Sequence, residues 1–369
     1  MEITKINLVN FRNYNKLDIS LNKTMNLFIG NNAQGKTNFL ESILVLALTK
    51  SSRNTFEEQI IQFGKVKSSL KCKVRNDKLL NELLVIFENN TKKLFVNKSQ
   101  IKRLSDYISN LYVISFFPDD LEIIKSSPSV RRGVLNIQLS QLSKKYLNTY
   151  NEYNKILKTR NEYLKVLFTN SIADKKYLDI LTEKLIEKAV IIYNMRKEYI
   201  DFINENIGSI YKDIVGSGDL YIEYVPNIII DSYEEDILKS NLLSIFSKNY
   251  RKELNYGMTL FGPHRDDMNF VLTKRDLKQY GSQGQQKLAV ICYKLSEIFI
   301  FERVCGTKPV LLFDDIFSEL DIEKRNKLLK FVSQDIQSVI TTTDLKSIQK
   351  KYLKDAYIFE VKDGNVTRK

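Results

Sequence analysis

A chain of 369 residues is long enough for two or three domains and a sizeable core, and its 57 Lys and Arg against 44 Asp and Glu leave +13, which suits a polyanionic partner. The three cysteines, Cys72, Cys292 and Cys305, have neither metal-type spacing nor an even-numbered framework, which argues against a disulfide scaffold and a cysteine metal site. No apolar run approaches the roughly 18 residues that span a bilayer and the N-terminus reads as a strand rather than a signal segment, so a soluble, cytoplasmic protein with no membrane partner is expected.

Residues 1–30 read as strands, with Ile3, Ile6 and Leu8, then Leu17, Ile19 and Leu21, then Met25-Leu27-Phe28-Ile29 running into Gly30. A buried helix is expected over 38–48, on Phe39, Leu40, Ile43, Leu44 and Leu46, and an antiparallel meander over 65–97. The first strand of that meander places Lys65, Lys67, Lys71, Lys73 and Arg75 on one face and Val66, Leu70, Cys72 and Val74 on the other. Residues 65–103 carry 11 basic and 3 acidic side chains, so the excess charge gathers here; it is either a solvated face or a phosphate-binding one.

The period then lengthens. Leu139, Leu142, Tyr146, Tyr150, Tyr153, Leu157, Leu164 and Leu167 predict one amphipathic helix, and Leu178, Leu181, Leu185, Ala189, Ile192 and Ile203 a second, each about 40 Å long, with a turn at 170–174. A strand at 220–225 and a helix at 233–248 follow. Val310-Leu311-Leu312-Phe313 and Ser338-Val339-Ile340 are short runs of the buried parallel-strand type. The simplest layout is an α/β lobe built from 1–130 and 258–369, with a mostly helical arm domain, 131–257, inserted between them.

Gly30-Asn31-Asn32-Ala33-Gln34-Gly35-Lys36-Thr37 fits the phosphate loop G-x-x-x-x-G-K-[ST], preceded by an apolar strand and followed by a helix. The glycines let backbone N–H groups point at the phosphates, Lys36 reaches the β- and γ-oxygens, and the Thr37 hydroxyl ligates Mg²⁺. ATP and Mg²⁺ are therefore the expected cofactors. Val310–Phe313 followed by Asp314-Asp315 has the form of a Walker B strand: Asp314 holds the metal, and Asp315 orients or deprotonates the attacking water, with Lys36 and Asp315 as the catalytic pair. Ser282-Gln283-Gly284-Gln285-Gln286-Lys287 precedes a helical run over 288–301. Alone it reads as a polar N-cap. In ABC-type ATPases a similar S-x-G-Q segment presents its Ser hydroxyl, Gly N–H and helix dipole to the γ-phosphate held by another subunit.

With these three motifs in the chain order phosphate loop, Ser282 segment, Walker B strand, the chain resembles the RecF family, SMC-related ABC-type ATPases of bacterial recombinational repair. The resemblance covers essentially the whole length. It rests also on Asn10-Phe11-Arg12-Asn13-Tyr14, Phe117-Pro118-Asp119-Asp120-Leu121, Ser127-Pro128-Ser129-Val130-Arg131-Arg132, Leu157-Lys158-Thr159-Arg160-Asn161, Gly262-Pro263-His264-Arg265-Asp266-Asp267 and Asp314-Asp315-Ile316-Phe317-Ser318-Glu319-Leu320-Asp321.

The resemblance implies an ABC-type P-loop ATPase head that dimerises with ATP, binds double-stranded and gapped DNA, and works with RecR and RecO to load RecA at single-stranded gaps. It implies that nucleotide contacts come from Gly30 through Thr37, Asn38 and Arg12, and, across a dimer, from Ser282, Gly284 and Gln285; Ser318–Asp321 matches the D-loop. Asp119 and Asp120 stand where ABC proteins place a Q-loop glutamine, and Thr343 where transporters place a switch histidine. The lone histidine, His264, reads as a structural hydrogen-bonder. Arg265 is a candidate for phosphate or interface contact; Arg131 and Arg132 are open between helix cap, DNA contact and lobe pairing. An SMC-like ATPase of a nuclease or defence system is the alternative, for which a fused nuclease would argue; a transporter ATPase would need the missing glutamine and histidine.

Overall fold

The computed structural model describes residues 1–51, 57–77, 79–89, 91–169, 174–332, 335–345 and 348–369. Its elements begin with β1 (Glu2–Phe11), β2 (Tyr14–Ser20), β3 (Met25–Ile29), α1 (Lys36–Leu48), β4 (Lys67–Asn76), β5 (Leu79–Glu88), β6 (Thr91–Val96) and β7 (Ser99–Ile101). There follow α2 (Leu104–Ile108), β8 (Val113–Phe116), α3 (Glu122–Lys125), α4 (Pro128–Leu142), α5 (Lys144–Thr169), α6 (Lys175–Val215), β9 (Leu220–Val225) and α7 (Glu235–Tyr256). The chain closes with β10 (Asp267–Leu272), β11 (Arg275–Asp276), α8 (Leu277–Tyr280), α9 (Gln283–Cys305), β12 (Val310–Asp314), α10 (Ile322–Val332), β13 (Ser338–Thr342), α11 (Lys350–Leu353), β14 (Tyr357–Lys362) and β15 (Asn365–Arg368).

The chain divides into two compact units. The first comprises Met1–Leu121, Ser209–Gly218 and Lys287–Lys369; the second comprises Glu122–Gly208 and Asp219–Gln286. These differ from the layout 1–130, 131–257, 258–369: residues 258–286, with the Ser282 turn, fall in the second unit, and the end of α6 falls in the first.

The first unit holds two six-stranded sheets, ordered β2-β1-β4-β5-β6-β7 and β15-β14-β3-β13-β12-β8. In the second of these, β14, β3, β13, β12 and β8 run parallel. Every residue of β12 and β13 is buried, because helices and strands cover both faces; that is why these segments are apolar runs without alternation. Helix α1 contacts strands of both sheets, so it is apolar nearly all round. Phe28 stacks on Phe39 and Phe359 in the core beneath it.

Strand β4 alternates as expected from Lys67 onward, with Leu70, Cys72 and Val74 buried. Lys65 lies before the strand, in a turn in which its N–H bonds to the Gln62 carbonyl, and Val66 is 78% exposed rather than on the buried face. The basic face is also less positive than its own residues suggest. Lys71 pairs with Glu82 at 2.8 Å, Arg75 with Glu2 at 2.9 Å and Lys67 with Glu88 at 3.4 Å, because antiparallel neighbours bring carboxylates alongside.

In the second unit the helix expected over 139–167 is two helices. Ser143 is extended (φ −141°, ψ 115°), and its hydroxyl accepts from the Tyr146 N–H to begin α5. The apolar spacing runs through this break unchanged, so periodicity alone merges the two. Helix α5 has 26 residues and α6 has 41, about 39 and 60 Å, so the pair is unequal where equal lengths are expected. The turn expected at 170–174 lies outside the described residues up to Asp174, whose carboxylate accepts from Lys176 N–H at the start of α6. Strand β9 matches the expected range, and α7 runs on to Tyr256, where Gly257 ends it in the left-handed conformation. Among the described residues no helix is long and apolar enough to cross a membrane.

Candidate functional site

The parallel register sets the site. β3 pairs with β13 and β13 with β12, so Ile29 lies opposite Thr342 and Asp314 opposite Thr341. The loop 30–35 and the acid pair therefore meet at the carboxyl ends of the strands, where open α/β sheets bind ligands. The loop turns into α1 through Gly35 at φ 113°, and a Cβ there would stand 2.4 Å from the Asn13 side chain.

Five hydrogen bonds hold the loop or brace the residues that hold it. Asn13 Nδ2 donates to the Gln34 carbonyl, Asn38 Nδ2 donates to Asn13 Oδ1, and the Tyr14 hydroxyl donates to the Gly35 carbonyl at 2.9 Å. From the far end of the chain, the β14–β15 turn gives Gly364 N–H to the Gln34 carbonyl and Asp363 N–H to the Gln34 side chain. The Asn13-Tyr14 pair thus orients the loop backbone. The Arg12 guanidinium binds both oxygens of the fully buried Glu41, at 3.1 and 2.7 Å, and the Gln59 carbonyl. Asn13, Tyr14 and the C-terminal turn were absent from the expected site because their roles depend on long-range placement.

Lys36 Nζ lies 2.5 Å from the Gly30 carbonyl and 2.9 Å from that of Asn31, arched over the loop. Burial pulls its pKa down, opposed by the nearby Asp315 and Asp314 carboxylates. The Thr37 hydroxyl is 2.8 and 3.0 Å from the two Asp314 oxygens. Asp315 sits at φ 52°, an uncommon conformation for a side-chain-bearing residue, and its buried Oδ1 has no hydrogen-bond partner among the described residues. Hard oxygen donors from Thr37 and Asp314, with that buried carboxylate oxygen beside them, fit a Mg²⁺ ion that keeps most of its waters. Lys287, at the end of the Ser282 motif and within the same unit as the loop, also feels Asp315: burial lowers its pKa and Asp315 raises it.

The other expected positions resolve differently. Asp120 is engaged by Lys294 at 2.5 Å and by Phe117 N–H at the end of β8, while Asp119 is exposed. Thr343 is exposed. In the second unit, Ser282 and Gln285 form a capping box: Gln285 N–H donates to Ser282 Oγ, and Ser282 N–H to Gln285 Oε1. Gly284 is exposed on the first turn of α9, and a Cβ there would meet no described atom within 4 Å.

The remaining motifs build the buried polar core of the second unit. Arg196 binds Asp266 at 2.8 Å and the Pro263 carbonyl, and Tyr224 and the Asn227 N–H donate to the same carboxylate. Arg160 reaches Glu253 at 2.7 Å, Thr182 and Thr259. Arg131 is bidentate to Asp267 and caps the carbonyls of Ile123, Ile124 and Ser126, and Arg132 donates to the Asp266 carbonyl. Removing one partner from such a buried pair costs about 3–5 kcal/mol.

His264 belongs to this core. Its Nε2–H must donate to the Thr259 carbonyl, and because burial keeps the ring neutral at pH 7, Nδ1 accepts the Tyr153 hydroxyl proton at 2.6 Å. Burial lowers its pKa to about 4, and Arg265, Arg132 and Arg196 add to the shift against the Thr259 bond. Unfolded, the ring titrates near 6.5, so folding excludes a proton between those values and stability falls as pH drops through that window. The expected loss is about 2 kcal/mol between pH 7 and pH 5. Urea melts of His264→Gln should lose this part of the slope; an identical slope would remove His264 as its source.

The whole-chain comparisons agree with this geometry. The RecF/RecN/SMC N terminal domain family matches residues 2–366. The "DNA replication and repair protein RecF" of Halalkalibacterium halodurans is 37% identical over the full length of both chains. A solved structure described as "the recombination mediator protein RecF-ATP in RecFOR pathway" superimposes with a TM-score of 0.92 at 31% identity, covering 100% of this chain and 97% of that one. An Smc head domain from Pyrococcus furiosus, with a TM-score of 0.56 at 14% identity over 100% of this chain and 95% of that one, shares the fold. With a full-length sequence relation, an SMC-type head and a phosphate loop facing an Asp-Asp pair, this chain belongs to the RecF family of SMC-related, ABC-type ATPases.

Proposed function

We propose that this chain is a slow, cytoplasmic DNA-binding ATPase of recombinational repair, in which two copies close around Mg²⁺·ATP on double-stranded or gapped DNA and, with RecR and RecO, promote RecA loading. The observation that carries the nucleotide part is the cluster of Lys36, Thr37, Asp314 and Asp315 at the strand ends. In this reading Lys36 neutralises the β- and γ-phosphates, the loop N–H groups bind their oxygens, and Mg²⁺ held by Thr37 and Asp314 supplies further charge neutralisation. Asp315 accepts the proton of the attacking water.

The dimer part rests on Gly284. Glycine is a poorer helix former than alanine, and at Gly284 a Cβ would meet no described atom within 4 Å, so no described neighbour requires it. A phosphate approaching from a second copy requires it. Likewise Ser282 caps its helix at the surface, where its hydroxyl and the helix N-terminus face outward. Static light scattering tests the reading directly: saturating ATP with Mg²⁺ should double the mass, and an unchanged monomer would overturn it.

The DNA part rests on the β4 face, Lys67, Lys71, Lys73 and Arg75, with Lys65 just before it. Three of these cations already pair with carboxylates, so phosphates would have to displace weak, exposed pairs. Replacing Lys71, Lys73 and Arg75 by Glu should weaken DNA binding and flatten its logarithmic salt slope by about three. Unchanged affinity at two salt concentrations would take this strand out of the footprint.

A further inference from the structure

Thr341 lies at the end of β13, is wholly buried, and is paired in register with Asp314. Its Oγ1 accepts the Asp315 N–H at 3.1 Å and lies 2.7 Å from Asp314 Oδ1. A hydroxyl has one proton, and a backbone N–H can only donate. The Thr341 proton therefore goes to Asp314, the Phe313 carbonyl at 3.4 Å being the more distant acceptor. One side chain thus ties together both acids of the site: Asp315 through its backbone, Asp314 through its carboxylate.

We propose that Thr341 is the positioning residue of the metal site, holding Asp314 by Oδ1 so that its carboxylate stays turned to Thr37, whose hydroxyl is 2.8 Å from Oδ2 and 3.0 Å from Oδ1. This rests on the ATPase reading above and adds to it a residue that touches neither nucleotide nor metal. Thr343, two residues on, is exposed, whereas Thr341 faces the acids from the neighbouring strand. The same hydroxyl also anchors Asp315, whose backbone holds φ 52° and whose N–H bonds additionally to the Thr341 carbonyl at 3.3 Å. Without the hydroxyl, Asp314 loses one of the bonds that fix its orientation, and the Asp315 N–H keeps only the longer bond. Partners of this kind govern metal affinity by about 10–100-fold while leaving the ligands themselves unchanged.

The test is a Mg²⁺ titration of ATP binding to the full chain, followed with a fluorescent ATP analogue and compared with binding in EDTA. Thr341→Val should raise the half-saturating Mg²⁺ concentration about ten-fold or more, with EDTA affinity within about two-fold of wild type. Thr341→Ser, which keeps the hydroxyl, should restore the wild-type titration. Thr341→Ala, which removes the hydroxyl and leaves room, should behave like valine and serves if valine does not fold. Superimposable wild-type and valine or alanine titrations would overturn the inference alone, as would a serine variant as impaired as valine. Wild-type protein that binds no Mg²⁺·ATP would overturn the ATPase reading, and this inference with it.

Discussion

Lys36→Ala is expected to abolish ATP-dependent doubling of the mass and to lower hydrolysis by about 100-fold or more, with Mg²⁺ present at saturation. Lys36 is 7% exposed, and its ammonium spans the loop at the Gly30 and Asn31 carbonyls with Asp315 and Asp314 nearby. In the proposed reading this ammonium neutralises the triphosphate, and deleting one such fixed charge or donor from a partly dry site typically costs 10²–10³-fold. Nucleotide affinity should fall as well, because ground-state phosphates use the same ammonium. Light scattering and phosphate release, both with circular dichroism to verify folding, check the result. Dimers that still form with Lys36→Ala would mean that nucleotide does not hold the two copies together.

Ser282→Arg should separate binding from assembly. Ser282 is exposed and, in the proposed reading, acts on the nucleotide held by a second copy, so ATP affinity measured on the monomer should stay within about two-fold of wild type. The variant loses the Ser282 cap on α9, a cost of about 1 kcal/mol confined to that turn. In a two-fold dimer the substitution enters twice, filling both gaps between turn and γ-phosphate. Light scattering should then find monomer at ATP concentrations that dimerise wild type, and hydrolysis should fall with assembly. Ser282→Ala, losing only the hydroxyl, should weaken dimers without abolishing them. Normal dimerisation of Ser282→Arg would show that this turn caps a helix and does nothing more.

Much of the first unit is readable in advance. β3, β12 and β13 are almost wholly buried, so apolar and β-branched residues dominate each without a two-residue alternation, and the phosphate loop is a contiguous pattern between strand and helix. The β4 face was readable as an alternation, but its charge was not: Glu2, Glu82 and Glu88 come from β1 and β5, and only pairing brings them beside Lys71, Arg75 and Lys67. The single helix read across 139–167 failed at Ser143 because a break that preserves the apolar phase leaves no trace in periodicity.

The amino-acid sequence by itself determined the family, most of the strands and helices, and the contiguous motifs from which phosphate and metal contacts are proposed, since these are set by neighbours within a few positions. Tertiary structure decided how those residues are held. Tyr14 reaches Gly35, Asp363 reaches Gln34 across 329 positions, and Thr341 reaches Asp314 from the adjacent strand. It also turned Arg12 to Glu41 and committed Arg196 and Asp266 to each other in the core. A hydrogen bond depends on separation in space, and the strand order that brings distant segments together is a property of the folded chain as a whole.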